Sequence, residues 1–231
     1  MDSGKTRPGK KLGYISGLIL LCLIAAAVVY AVLAGSASAS LGGKRFSELR
    51  EKYPLYEYDP PLISMNKPKF DDLVKRADAF ILAEVVEVLP EYTIELIEGS
   101  ETPEGKIYEK GKEYGMENAE PFVQYRVRVI ENITGESSGK GEEVRGDIII
   151  AMNAQFKGYA PEPEPGMRIV TPVSKGEGKH EGKYFYSKYG FYYVTDDDYV
   201  MSAYVEDHGY KFSGRTLDHL KKKIRELAGR K

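Results

Sequence analysis

Apolar residues recur along this chain with different spacings, and each spacing predicts a different element. The first pattern is an unbroken one: Leu12 to Ala34 is an uncharged run of 23 residues. At helical rise it spans a hydrocarbon core of about 30 Å. In lipid only a helix pairs every backbone amide within one segment, so the run predicts a transmembrane helix. A period of three to four returns at Phe46, Leu49 and Tyr53, and again at Phe70, Leu73, Val74 and Ala77, predicting two short amphipathic helices. Asp71 and Asp72 sit in the first turn of the second, where the helix dipole favours acids. Between them Pro54, Pro60, Pro61 and Pro68 forbid a long helix and favour an extended stalk or a wrapping segment.

From Ala79 the period drops to two. Ala79 to Leu89 reads as a buried strand that resumes through Tyr92 to Ile97. Phe122 to Ile130 alternates, with Val123, Tyr125, Val127 and Val129 pointing one way and Gln124, Arg126 and Arg128 the other. Asp147 to Met152 and Met167 to Val173 are short apolar strands, and Pro172 is expected to hold the latter's end at a sheet edge. Lys183 to Thr195 and Tyr199 to Glu206 read as the last pair, joined by Asp196, Asp197 and Asp198. Thr216 to Leu227 then places Leu217, Leu220, Ile224 and Leu227 on one helical face, with Thr216 or Ser213 as cap. Two stretches break the pattern: Glu98 to Pro121, acidic and Gly-rich, and Tyr159 to Gly166, extended and polyproline-like. Several strands followed by one helix predict a mainly β (α+β) domain, a small antiparallel barrel or sandwich closed by the C-terminal helix. The expected layout is a tail at 1–11, a transmembrane signal anchor at 12–34, a linker with a short helix at 35–66, and the β-rich domain at 67–231.

Charge orients this layout. Lys5, Arg7, Lys10 and Lys11 precede the apolar run, and such a flank stays cytoplasmic, which puts the N-terminus inside and the rest of the chain outside. Removing these four bases and Asp2 from the totals of 33 and 35 leaves 29 basic against 34 acidic residues, a net of −5. A mildly acidic exterior with interspersed charges lacks the basic face of a nucleic-acid binder. Ala37-Ser38-Ala39 before Ser40 fits a signal-peptidase site, yet the apolar run exceeds the roughly 7–15 residues of a cleavable signal core, so a retained anchor is favoured. Cys22, the single cysteine, follows Leu21 inside the run rather than ending it, which does not suit a lipoprotein. An exterior domain without disulfides points to a bacterial, Gram-positive envelope, where Asn132-Ile133-Thr134 is a strand-end turn rather than a glycan acceptor.

The chemical motifs are each outweighed by a simpler use. Gly135-Glu136-Ser137-Ser138-Gly139 matches the G-x-S-x-G elbow, but charged Lys140 to Gly146 follows where a helix is required. The two S-x-x-K matches, Ser64 to Lys67 and Ser137 to Lys140, are followed or interrupted by Pro68 and Gly139. Arg145-Gly146-Asp147 reads as a turn into a strand. Asp196, Asp197 and Asp198, with Glu206 or Asp207, could supply calcium oxygens but lack EF-hand spacing. His180, His208 and His219 are too far apart to form a metal pair and read as surface residues. Tyr184, Tyr186, Tyr189, Tyr192, Tyr193, Tyr199 and Tyr204 are the one compositional excess, available for core packing or for stacking on sugar rings. The motifs assign no catalytic, cofactor-binding or metal residue.

Five segments carry a resemblance: FDDLVKRADAFILAEVVEV, YRVRVIENITGE, GDIIIAMN, GKYFYSKYGFYYVTDDDYVMSAY and SGRTLDHLKKKI. Together, over roughly residues 70 to 227, they resemble a family of uncharacterised extracytoplasmic domains of Gram-positive bacteria. The resemblance implies a membrane anchor before a small OB-like barrel that ends in a short helix, and it brings no catalytic residue with it. The expectation is a single-pass cell-membrane protein whose external domain is a binding or interaction module of the envelope. Its partners would be the lipid bilayer through residues 12–34 and an envelope protein or glycan, with no nucleic acid. An envelope hydrolase with acids not identified, or a structural partner of a membrane complex, are the alternatives.

Overall fold

Strands that alternate on one face and are apolar on both at one end need partners on two sides, and here they obtain them by closing on themselves. The structure, a computed structural model, describes residues 40–61, 66–135, 144–205 and 210–229. The uncharged run at 12–34 lies outside these residues, and among the described residues no helix is long and apolar enough to cross a membrane. In chain order the elements are α1 (Gly43–Lys52), α2 (Phe70–Arg76), β1 (Ala79–Glu95), α3 (Pro103–Gly111), β2 (Ala119–Asn132), β3 (Gly146–Asn153), β4 (Arg168–Lys175), β5 (Lys183–Phe185), β6 (Tyr192–Val194), β7 (Val200–Ser202) and α4 (Leu217–Ala228).

β1 pairs with β2 and β2 with β3, both antiparallel. β3 then takes β5 on its other edge, in parallel, with Ile149, Ile150 and Ala151 opposite Lys183, Tyr184 and Phe185. β5 meets β4 at Ser174 and Lys175, and β4 returns to β1 from Ala79↔Val173 to Glu84↔Arg168. The domain is therefore mainly β, a closed five-stranded barrel in the order β1-β2-β3-β5-β4, consistent with an OB-like barrel and not with a sandwich. The all-antiparallel expectation needs correction at the β3–β5 pair. So does the reading of Lys183 to Thr195 as one strand, because β5 serves β3 while β6 serves β4 and β7. The chain turns between β5 and β6 through Gly190, whose φ of +71° suits glycine and where a Cβ would lie 3.3 Å from Leu73, Phe80 and Pro172.

Pro172 is not at the end of an edge strand. It faces Phe80 of β1 inside the barrel wall, and is tolerated because β6 covers β4 only at Arg168–Val170 and β5 only at Ser174 and Lys175. Thr171 to Val173 thus have one neighbouring strand, so the missing amide is not needed. The stretch expected to be irregular after β1 contains α3. Thr102 caps it by accepting from the Gly105 amide at 3.0 Å, Pro103 occupies its first turn, and Gly105 packs where a Cβ would fall 2.1 Å from the Gly99 carbonyl oxygen.

Two apolar cores share the wall. Inside lie Ile81, Ala83 and Val85 of β1, Val123, Tyr125 and Val127 of β2, and Ile150 and Met152 of β3. The alternation expected for β2 holds, since Arg126 and Arg128 point outward and pair with Glu87 and Glu84. Outside, Phe80 and Leu82 of β1 and Val170 of β4 meet Phe70 and Val74 of α2 and all four stripe residues of α4, Leu217, Leu220, Ile224 and Leu227. Thr216 is the cap of α4, its hydroxyl accepting from the His219 amide. The helix covers a face of the barrel wall rather than an opening.

Residues 40–61 wrap onto the inner core. Leu49 and Tyr53 are buried in it, and Arg50 donates to the Ser202 carbonyl at 2.7 Å and to Ser213 Oγ at 2.8 Å. Tyr56 bridges to Tyr204. Asp59 forms an ion pair with Lys188, whose side chain is 2% exposed and whose amine also donates to the Tyr58 carbonyl at 3.1 Å and lies 4.2 Å above the Tyr204 ring.

Leu220 is fully buried and Lys222 exposed, so Leu220→Ala is expected to lower stability by about 2–5 kcal/mol while Lys222→Ala changes it by under about 0.5. Equal thermal melting of the two variants would show that α4 does not pack on the barrel. Asp59→Ala leaves a buried ammonium without its carboxylate, at an expected cost of about 3–5 kcal/mol that the double variant with Lys188→Met largely restores. Denaturant unfolding of both checks this, and a single variant costing no more than Glu87→Ala on the exposed ladder would contradict the pinning role.

Candidate functional site

β1 runs on past its pairing with β4 as a long ribbon with β2, and the register of that ribbon places Tyr92 opposite Phe122, which still pairs with Asn153 of β3 on its other edge. Their rings stack at 5.2 Å and 19°. β5 brings Phe185 to 5.9 Å from Phe122. The loop between β4 and β5 adds His180, whose ring stands edge-on to Phe122 and Phe185 at 4.7 Å each and to Tyr92 at 5.9 Å. Tyr92 Oη and His180 Nδ1 share a hydrogen bond at 2.8 Å. The loop can fold this tightly because Gly176 has no Cβ: one built there would meet the His180 carbonyl oxygen at 2.4 Å. Lys179 ties the loop to the ribbon through the Glu95 carbonyl and the Glu98 carboxylate, both at 2.5 Å.

Burial lowers the pKa of His180 below its ordinary 6.5, nearby Lys183 lowers it further, and Glu120 opposes the shift. Tyr92 is pushed up by burial. His180 is therefore a neutral wedge between rings, which corrects its reading as a surface residue.

Beside this cluster, where β3 and β5 leave the barrel and β2 enters it, lies a cleft of about 200 Å³. Phe122, Phe185, Tyr186, Met152, Phe156 and Ala160 supply its carbon walls, with Asn153, Ser187 and Lys188 also lining it. The polar groups already have partners in the chain. Asn153 donates to the Glu120 carboxylate and accepts from the Gln155 amide, Ser187 shares hydrogen bonds with Tyr189, and the Lys188 amine is held by Asp59. Tyr186 donates to the Pro161 carbonyl at 2.9 Å, so the Tyr159–Gly166 stretch forms a further border. Burial and then Glu162 push Tyr125 up to about 12, and burial holds Tyr186 and Tyr193 well above the ordinary tyrosine range. These phenols stay protonated at physiological pH, and that of Tyr186 is the one seen donating, to the Pro161 carbonyl.

The residues singled out by sequence are not brought together. Ser64, Ser137, Ser138, Lys140, Glu206, Asp207 and His208 lie outside the described residues. Gly146, at φ +71°, opens β3, and Asp147 pairs with Arg128 at 3.6 Å. Each aspartate of the hairpin turn faces a cation: Asp196 Lys52, Asp197 Arg45 and Asp198 Arg168. His219 sits on α4 beside Phe212. Tyr186, Tyr189, Tyr192, Tyr193 and Tyr204 are buried, so packing, not an exposed stacking face, is their use. The residues that build the cleft were missed because Phe122, Phe156 and Phe185 gain meaning only when β5 docks against β3. No family model matches the chain, and no curated protein matches it in sequence.

A depressed histidine pKa favours the folded state fully above 6.5 and progressively less as pH falls through the interval below it, because the unfolded chain takes the proton first. The stability difference between the native chain and His180→Gln is therefore expected to shrink from pH 7.5 to pH 5. Denaturant titrations at the two pH values measure it, and a constant difference would contradict a desolvated His180.

Proposed function

We propose that this protein is a single-pass membrane protein of a bacterial envelope whose OB-like barrel, carried outside the membrane, is a binding module with the aromatic cleft as its ligand site. The cleft carries this reading. It is concave, walled by aromatic and aliphatic carbon, and bordered by polar groups satisfied by their own chain, which is the common form of a preformed binding pocket. Its walls stand on strands and on loops tied down by the Lys188–Asp59 ion pair and the Tyr186–Pro161 hydrogen bond, so little ordering cost falls on association. The external placement rests on the basic cluster Lys5 to Lys11 before the uncharged run, and the envelope on a domain without cysteine.

Methionine-methyl NMR on the full chain in lipid nanodiscs tests the reading, because Met152 lines the cleft and Met201 lies in the inner core. Titration with peptidoglycan glycan fragments and with amide-capped peptides is expected to shift Met152 in at least one class and to leave Met201 in place. Silence of Met152 towards both classes would contradict binding at this site.

A further inference from the structure

We infer that the cleft is an anchor pocket for one uncharged, hydrogen-bond-poor side chain, a phenyl or branched aliphatic group, presented by a peptide segment of a partner protein. The inference rests on the cleft being the binding site and adds the class of ligand.

Size sets the first limit. About 200 Å³ falls below the roughly 300–1,000 Å³ of pockets that take a whole small molecule, and slightly above the roughly 150 Å³ that accommodates benzene in an engineered cavity. One ring or one branched chain fills it, and the rest of any ligand stays outside. That is the geometry of a hot spot, where a single buried side chain carries much of an interface.

Chemistry sets the second limit. Phe122, Met152, Phe156, Ala160 and Phe185 offer no hydrogen bond from their side chains, and Asn153, Ser187 and Lys188 are engaged with Glu120, Tyr189 and Asp59. A pyranose ring carries hydroxyls on nearly every carbon, and each one pressed against these walls would lose water without gaining a partner. A carboxylate fares worse, since Glu120 bonds Asn153 on the lining and Glu162 bonds the Gly158 amide between Phe156 and Ala160. An apolar side chain gives up no hydrogen bond on entry. The border also shows that this region accommodates extended backbone: Ala160, Pro161 and Pro163 are buried beside the pocket, and the Tyr186 hydroxyl holds the Pro161 carbonyl.

The test titrates the full chain in nanodiscs with N-acetyl-phenylalaninamide, N-acetyl-tyrosinamide and N-acetylglucosamine, reading the Met152 and Met201 methyl signals. The phenylalanine amide is expected to shift Met152 and saturate on the order of millimolar, as suits one isolated anchor. The tyrosine amide should bind at least about tenfold more weakly, because its hydroxyl enters an apolar pocket. N-acetylglucosamine should leave Met152 in place. Ala160→Leu, which fills the pocket, should abolish the shift with Met201 unmoved. Should that variant fail to fold, Phe156→Ala removes a wall and should weaken binding severalfold. A Met152 shift from the sugar and not from the phenylalanine amide overturns the ligand class while leaving the cleft as a site. No Met152 shift from any of the three overturns the anchor inference, and the binding reading falls with it only when the wider glycan and peptide titrations are silent too.

Discussion

Three residue pairs, Ile149, Ile150 and Ala151 of β3 against Lys183, Tyr184 and Phe185 of β5, decide the form of this domain. Without them the wall from β1 to β3 and the wall from β4 to β1 would remain an open sheet with two unpaired edges. Open edges expose unpaired amides and carbonyls, and closure removes them. The pairing is parallel because the chain leaves β4, turns tightly through Gly176 to Gly182, and re-enters alongside β3 in the same direction. Its consequences reach the site directly. Phe185 arrives beside Phe122, and Tyr186, Ser187 and Lys188 follow along the cleft. Lys188 then meets Asp59 and fixes the N-terminal wrap.

β1 is paired on both edges, with β2 and with β4, and is buried on both faces at its start. Ala79 to Leu82 is buried throughout, with alternate residues feeding the inner core and the outer one, so β1 is gripped by two apolar layers. Burying a large apolar side chain contributes on the order of 1.5–3 kcal/mol, whereas each exposed pair such as Glu84 with Arg128 contributes about 0–1. The cores therefore hold the barrel, and the charged ladder on β2 keeps its outer face wet. α1 and α4 divide the work: α1 packs Leu49 against the inner core, and α4 lays its stripe on the outer one.

Elements with a regular period were legible in the sequence. The alternation of Val123, Tyr125 and Val127 and the stripe of Leu217, Leu220, Ile224 and Leu227 appear in the structure facing as their spacing required. Features made by long-range pairing were not legible. Nothing near Lys183 to Thr195 shows that the chain divides between two partners, since β-branched and aromatic residues run through it with only Gly190 to mark the turn. α3 did leave a local sign, Thr102 followed by Pro103, which the surrounding glycines and acids obscured. His180 reads as exposed in a run of Gly, Lys and Glu, and becomes half-buried only because Phe122 and Phe185 come from distant strands. The cleft belongs to the same class, with its walls drawn from β2, β3, β5 and the loops after β3 and β5.

The direction of the β3–β5 pairing is the point on which both barrel and cleft stand, and backbone NOEs across it measure that direction most directly. Parallel pairing predicts contacts between Hα and amide protons of Ile149–Ala151 and Lys183–Phe185 without the close Hα–Hα contacts of an antiparallel ladder, together with ring contacts between Phe122 and Phe185. Strong Hα–Hα contacts between the two segments, or none of any kind, would mean that the barrel does not close this way and that the cleft is not formed.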